Sequence, residues 1–397
     1  MHVTICGGGN ASHTLAALLS SHPDLMVRVY APFEDEAARW RTNLASAPTP
    51  AGQGLMAART RDGTLYGKPH EISAQAEGVI PGAELILLAL PAFAHRQVLS
   101  DILPYLEPEV LIGALPARGG FDWECDQVFN GRGQGVTYFG LQTLPWACRI
   151  ERFGTAVTIL GTKWEVDVAV WPPGKAVQVA VTLSDLFHLQ VKPVSNFLSL
   201  TLANPGQIIH PGIMYGLFHH WDGSPYKEAP LFYQNVDQHT ARLLGYLSDE
   251  VQAICRELQS QLPELDLAAV IPLHEWLRRS YADDLGDDSS IQSCFRSNRS
   301  YADLRAPMRA VAGGLAPDYQ ARYLVEDVPF GLLATRGIAE IAGVETPIID
   351  EVIGWAQYCM GKDYLQAGKL CGRDIAETRA PQRYGIKTIQ QLIGGTI

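Results

Sequence analysis

His2-Val-Thr-Ile-Cys6 runs directly into Gly7-Gly-Gly9-Asn10-Ala11-Ser12-His13, and Thr14-Leu-Ala-Ala-Leu-Leu19 follows without a break. An apolar strand, a glycine turn and a helix are packed into the first twenty residues, which is how a dinucleotide-binding βαβ unit begins. Gly7 permits the tight turn and Gly9 leaves room for a pyrophosphate beside the backbone. The small Ser12 lets helix and strand approach each other, and the free N–H groups at the helix start face the anion. Gly7, Gly8, Gly9, Asn10 and Ala11 are therefore the candidate cofactor-binding residues of this turn.

Working outward, Leu25-Met-Val-Arg-Val-Tyr30 reads as a second strand and Asp35-Glu-Ala-Ala-Arg-Trp40 as its following helix. A Gly- and Thr-rich stretch from Ser46 to Gly67 reads as loops or a hairpin. The continuous apolar run Ala83-Glu-Leu-Ile-Leu-Leu-Ala-Leu90 suits a strand buried on both faces. Pro91, Ala92 and Phe93 follow at its carboxyl end, where open α/β sheets bind ligands, and join the cofactor candidates. Val110–Pro116, Thr137–Leu144 and Ala156–Gly161 read as further strands of one doubly wound sheet. Past Phe197 helical periodicity dominates Val236–Gln261, Leu267–Tyr281 and Leu332–Gly343, with Asn204-Pro205-Gly206 as a turn before a new helix. The expected architecture is α/β: a Rossmann-type domain over residues 1–197 followed by an all-α domain over residues 198–397.

Composition narrows the class. The 397 residues are 47% hydrophobic and 18% charged, enough for two cores. A formal charge of −11 and a pI near 5.5 argue against nucleic acid or an anionic membrane surface as partner. The seven cysteines are scattered without C-x-x-C spacing, so reduced thiols are expected rather than disulfides or zinc, and the Gly286–Ser290 run reads as a solvated loop rather than a metal site. No leader and no run of eighteen apolar residues is read, so a soluble cytoplasmic protein is expected.

Seven stretches, in order, resemble the octopine dehydrogenase family of opine dehydrogenases across nearly the whole chain. They are Cys6-Gly-Gly-Gly-Asn10 with His13, Pro91-Ala-Phe-Ala-His95, Thr143-Leu-Pro-Trp-Ala-Cys-Arg149, Ile209-His-Pro211, Glu228-Ala-Pro-Leu-Phe-Tyr-Gln234, Arg322-Tyr-Leu-Val-Glu-Asp327 and Pro381-Gln-Arg-Tyr-Gly385. The resemblance implies a Rossmann domain joined to a helical opine dehydrogenase domain. It also implies reductive condensation of an amino acid with pyruvate, with NADH supplying the hydride and NAD regenerated in anaerobic glycolysis. The family expectation is a monomer whose domains hinge.

The chemistry itself requires a group titrating near neutral pH, because the amine must be neutral and the departing carbonyl oxygen protonated. His210 is the candidate, and Pro211 is expected to bias it out of the helical region, at an element end. A core histidine is the bland reading, which the family motif outweighs. By resemblance Asp327 is its carboxylate partner, although an acid before Val328-Pro329 also suits a helix N-cap. Arg322, by resemblance, reaches across the cleft to the cofactor pyrophosphate, with a substrate carboxylate clamp as the rival role. Arg118, Gln142 and Thr143 lie at strand ends where substrate carboxylates need donors, and Trp276 is read as an apolar wall. His13 is read as a helix-start contact, Cys148 as a buried thiol, and Glu326 as a solvated neighbour of Asp327.

Two departures matter. Arginine-using members of the family tend to carry an acid where this chain has Gln142, and loss of a buried carboxylate partner weakens guanidinium binding by about 2–5 kcal/mol. The expected amino substrate is therefore small and lacks a cationic side chain: taurine, alanine, β-alanine or glycine. Second, no acid ends the second strand to bind the ribose hydroxyls, and Glu34 and Asp35 come a few residues late. Arg39 would serve a 2′-phosphate in an NADP reading, but NAD is kept by resemblance. The competing readings are a two-domain reductase like the ketopantoate reductases, and a non-catalytic dinucleotide-binding redox sensor.

Overall fold

β1 (His2–Cys6) is an interior strand of an eight-stranded sheet and pairs in parallel with β2 (Met26–Tyr30) on one side and with Leu85–Leu88 on the other. Val3, Ile5 and Leu85–Leu88 are wholly buried, which explains their continuous apolar runs. The computed structural model describes residues 1–49, 52–130 and 135–394. It divides the chain after Leu200, within the helix Phe197–Leu202.

In the first unit the spatial strand order is Glu71–Ser73, β2, β1, Leu85–Leu88, Leu111–Ala114, Thr137–Leu141. These strands are all parallel, the doubly wound order with its reversal beside β1. Glu165–Trp171 then adds antiparallel to Thr137–Leu141, and Gln190–Pro193 closes the edge parallel to it. One strand falls elsewhere than expected. Ala156–Thr162 leaves this sheet and joins a separate four-stranded one with Trp146–Arg152, Met56–Thr60 and Gly63–Gly67, the last two forming the hairpin expected between Ser46 and Gly67. The expectation failed because an apolar run says that a strand is buried but not in which sheet.

α1 (Asn10–Leu19) is packed between the eight-stranded and the four-stranded sheet of this unit, and its Leu15, Ala16 and Leu19 are fully enclosed. His13, at 0% exposure, explains how the glycine turn is held. Its Nδ1 lies 3.0 Å from the Gly9 carbonyl oxygen, and its Nε2 lies 2.8 Å from the Gly154 nitrogen, whose N–H donates to it. Nδ1–H must therefore be the donor and Nε2 the lone pair, a neutral ring. The ring stacks on Trp40 at 3.8 Å and meets Phe153 at 4.8 Å. Burial drives its pKa down to about 4, and Arg39 adds to the effect.

The second unit is mainly helical: Gly206–Phe218, Gln238–Gln261, Leu273–Ser280, Leu333–Ala342 and Pro347–Met360 are its longer helices. The helix expected from Leu267 begins only at Leu273, after turns that end at Pro272. A short hairpin, Met308–Val311 with Gly314–Pro317, interrupts the helices where no strand was expected. No helix among the described residues is long and apolar enough to cross a membrane.

The His13 geometry has a pH signature. A folded pKa near 4 against 6.5 in the unfolded chain means that the unfolded state binds more protons between those values. The contribution is full above pH 6.5 and falls by about 3 kcal/mol as pH drops through that window. His13→Gln, which cannot ionise, is expected to flatten this part of the stability curve measured by urea unfolding. An acid limb that keeps its depth in the variant would assign the loss to other groups.

Candidate active site

In the first unit the candidate residues gather at the turn after β1. Gly7 has φ +125°, and a Cβ there would lie 2.7 Å from the Ala89 carbonyl oxygen and 2.8 Å from Ser12 Oγ. Ser12 Oγ donates to that same carbonyl at 2.9 Å, so the helix start is tied to the end of Leu85–Leu88. Gly9 is different. It is exposed, has φ −86°, and a Cβ on it would meet nothing within 4 Å. Nothing in the protein requires glycine there, whereas an approaching phosphate would. Asn10 turns inward, its Oδ1 accepting from the Ile150 N–H at 2.9 Å, so the side chain serves the neighbouring sheet. Ala11 is half-buried. Pro91 caps the helix Ala92–Ile102, with Ala92 buried and Phe93 61% exposed at the carboxyl end of the sheet.

One acid escaped the sequence reading. Glu36 opens α2 (Glu36–Ser46), and its carboxylate rests against Gly8, where a Cβ would come within 2.3 Å of Oε2. That oxygen is buried and accepts no hydrogen bond. Burial pushes the Glu36 carboxyl up from its ordinary value, with Glu34 and Asp35 adding to the rise and Arg39 opposing it. The residue after a late Glu34-Asp35 pair was the available signal.

Arg118, Gln142 and Thr143 occupy adjoining loops at the carboxyl edge of the sheet, which the Ala117 N–H ties together by donating to the Leu141 carbonyl at 2.9 Å. Arg118 is in the left-handed region at φ 59° and only 8% exposed. Gln142 and Thr143 are half-buried.

A second candidate group lies within the helical unit. His210 Nδ1 stands 2.8 Å from Asp327 Oδ2, across 117 residues of sequence, with side chains 15% and 1% exposed. A carboxylate only accepts, so Nδ1 carries a proton, and in the neutral ring Nε2 is the lone pair. Tyr233 supplies the donor to that lone pair, its hydroxyl 3.1 Å away. Tyr323 stacks on the imidazole at 4.3 Å, and Tyr233 is itself held face to face with Tyr301 at 4.0 Å. Burial keeps the Tyr233 phenol well above its ordinary pKa, so it remains a neutral donor.

His210 does not end an element. It lies inside Gly206–Phe218 with Pro211 following in the same helix. The bias of a residue before proline is a local preference, and the burial of Ile208, Ile209, Ile213 and Met214 around it overrides that preference. Asp327 is positioned by an irregularity. Pro329 has no N–H to continue an α-helix, and the backbone widens into the π-helical turn Val328–Leu332, with the Leu332 N–H donating to the Asp327 carbonyl at 2.9 Å. Asp327 stands at the N-cap position, but its side chain makes no capping bond. Glu326 is buried at 6% exposure, contrary to the solvated neighbour expected. Arg322 starts the short helix Arg322–Val325 and is exposed. Trp276 lines a cavity of about 20 Å³ with Asn204, Pro205, Gln207 and Ile208. Tyr233 and Tyr323 were missed as functional groups although each lies in a motif already noted, because a tyrosine in an apolar run reads as core.

An open glycine turn on one unit, with a histidine held by a buried carboxylate on the other, is the division of labour of a two-domain dehydrogenase. The family model for the alpha-helical domain of NAD/NADP octopine/nopaline dehydrogenases matches residues 193–360. The chain is 38% identical over 403 residues to the octopine dehydrogenase of Mizuhopecten yessoensis, covering 100% of this chain and 99% of that protein. It is 39% identical over 399 residues to the tauropine dehydrogenase of Arabella iricolor, covering 98% and 99%. A solved octopine dehydrogenase with NADH and L-arginine superposes with a TM-score of 0.89 at 35% identity, over 100% of this chain and 98% of that one. The chain belongs to the octopine dehydrogenase family of opine dehydrogenases, and the ketopantoate-reductase and sensor readings give way to it.

Two outcomes follow from this geometry. Gly7→Ala should lower stability by about 2–4 kcal/mol, because it combines a collision with a left-handed backbone. Gly9→Ala should cost under about 1 kcal/mol; paired thermal melts decide, and equal losses would contradict the open face at Gly9. In Asp327→Ala, Nδ1 loses its acceptor, so ¹⁵N NMR should find the neutral His210 ring divided between tautomers. A ring that remains wholly Nδ1–H would mean that another acceptor holds it.

Proposed function

We propose that the protein is an NADH-dependent opine dehydrogenase that condenses pyruvate with a small amino acid and reduces the resulting imine, regenerating NAD when glycolysis runs without oxygen. The observation that carries this reading is the His210–Asp327 pair, both residues falling in the stretches that resemble the family. The turn at Gly7, Gly8 and Gly9 and the start of α1 fit a pyrophosphate, with Asn10 and Ala11 contributing backbone and Pro91, Ala92 and Phe93 lying at the neighbouring strand end. The exposed guanidinium of Arg322 suits the pyrophosphate as well. When bound, NADH supplies the hydride to the carbon that was the keto carbon of pyruvate.

His210 handles the protons. In its neutral form Nε2 takes the proton from the substrate ammonium, leaving a neutral amine whose lone pair forms the C–N bond to the keto carbon. A proton passes from the new ammonium nitrogen to the alkoxide to give a carbinolamine, and the imidazolium then returns its proton to that hydroxyl, which leaves as water and gives the protonated imine that accepts the hydride. Asp327 holds the Nδ1–H and keeps the ring oriented. Arg118 and Thr143 are the proposed donors to substrate carboxylate or sulfonate, and Trp276 the apolar wall.

The preference for a small amine rests on Gln142, a neutral amide where arginine-using relatives tend to carry an acid, and on the compact Asn204-Pro205-Gly206 turn beside the Trp276 cavity. The near-equal likeness to an octopine and a tauropine dehydrogenase does not choose between amines. The deciding measurement is NADH oxidation with pyruvate across a panel of amines. Taurine, alanine, β-alanine or glycine should accelerate it well beyond arginine. Robust turnover with arginine and none with those four would sink the preference, and no acceleration by any amine would sink the opine reading. His210→Asn should lower kcat by about 10²–10⁴ while NADH still binds; undiminished turnover would remove His210 from the proton steps.

A further inference from the structure

The loop that carries Thr143 is held from one neighbouring segment, residues 163–167. The Gln142 N–H donates to the Asp167 carbonyl at 3.0 Å, and the Pro145 carbonyl accepts from the Lys163 N–H at 2.9 Å. Between those two ties lies a third, made by a side chain: the Lys163 ammonium donates to the Leu144 carbonyl at 2.7 Å. Lys163 thus grips two successive carbonyls, one through its backbone and one through its side chain. The Leu144 carbonyl also accepts from Thr143 Oγ1, over a longer 3.3 Å. A threonine hydroxyl has one proton to give, so while Thr143 spends it on Leu144 it cannot give it to a substrate anion. Withdrawing it would be penalised if it left the carbonyl without a donor, and the Lys163 ammonium removes that penalty.

We propose that Lys163 is a positioning residue for the keto acid: by holding the Leu144 carbonyl it releases the Thr143 hydroxyl to donate to the carboxylate of pyruvate. This rests on the opine dehydrogenase reading above, in which Thr143 is a substrate donor. Pyruvate is the substrate concerned because it has only a carboxylate and a keto oxygen to be held by, so its binding depends most on a hydroxyl that is free to turn.

A charged donor suits this task, because charge-assisted hydrogen bonds are shorter and about twice as strong as neutral ones. The ammonium therefore holds the shared carbonyl more firmly than the hydroxyl does. Lys163 is half-buried. Burial lowers its pKa to about 8, and the Cys148 thiol, the one titratable group among the described residues that acts on it, opposes the fall. The ammonium is thus the main form below about pH 8 and gives way above it to a neutral amine, a weaker donor. As that happens the Leu144 carbonyl draws the Thr143 proton back.

Steady-state kinetics of the intact enzyme, with NADH and the amine that turns over best, test this through the KM for pyruvate as a function of pH. In wild type that KM should be level below about pH 8 and rise above it by up to about tenfold. Lys163→Met, which keeps the length of the side chain but has no donor, should raise it about tenfold at neutral pH with no further rise, while the affinity for NADH measured by calorimetry is unchanged. Thr143→Val has no hydroxyl to release, so in that background the alkaline rise should vanish and Lys163→Met should change the KM by less than about twofold. A wild-type KM in Lys163→Met overturns the proposal. So does an equal loss from Lys163→Met with and without the Thr143 hydroxyl, which would make the lysine a structural support or a direct ligand. Should Lys163→Met fail to fold, the pH profiles decide: a wild-type KM that stays level through about pH 9, or a rise that persists in Thr143→Val, is equally fatal. Absence of pyruvate-dependent NADH oxidation with every amine overturns the opine reading itself, and the proposal with it, whereas the other failures fall on Lys163 alone.

Discussion

A carboxylate taken almost wholly out of water organises the centre of the helical unit. Asp327 is 1% exposed on its side chain, and burial of a charge at that depth is tolerated only where hydrogen bonds and charge compensate it. The Nδ1–H of His210 is one such bond, and the demand for it runs both ways. It places a proton on Nδ1, and in the neutral ring it leaves the Nε2 lone pair facing the buried Tyr233 hydroxyl, which can donate to it. The aromatic rings around the pair, Tyr323 against the imidazole and Tyr301 against Tyr233, then fix the planes in which these bonds lie. A chain of local requirements starts from one desolvated oxygen.

The nucleotide-binding unit shows the same economy with a different histidine. His13 is buried neutral because both its ring nitrogens meet backbone groups of fixed polarity, a carbonyl at Gly9 and an N–H at Gly154. Protonation would set Nε2–H against an N–H. That constraint makes His13 a brace for the glycine turn, while His210 has a carboxylate rather than a backbone carbonyl at Nδ1 and a hydroxyl rather than an N–H at Nε2.

Much of this was legible in the chain. The β1 to α1 turn, the buried strand Leu85–Leu88, the helical second half and the identities of His210 and Asp327 all follow from patterns that extend over few residues or from motifs read in order. Where reading failed, the deciding contacts were remote. Ala156–Thr162 pairs with Met56–Thr60, about a hundred residues away, and an apolar run carries no record of its neighbour. His210 stays helical before Pro211 because its helix is buried on several sides, which local propensity cannot weigh. Glu36 looked like one acid among three until the fold turned it onto Gly8.

The sequence by itself determined the class: an apolar strand entering a glycine turn can serve few ends, and that pattern needs no tertiary information because strand, turn and helix are consecutive. It also determined which residue types were available for proton transfer and anion binding. Only the tertiary structure decided which of them work together. Hydrogen bonds act over about 3 Å, whereas the partners His210 and Asp327 are 117 residues apart along the chain. No spacing rule spans that gap, and closing it takes the packing of a helix against a π-helical turn.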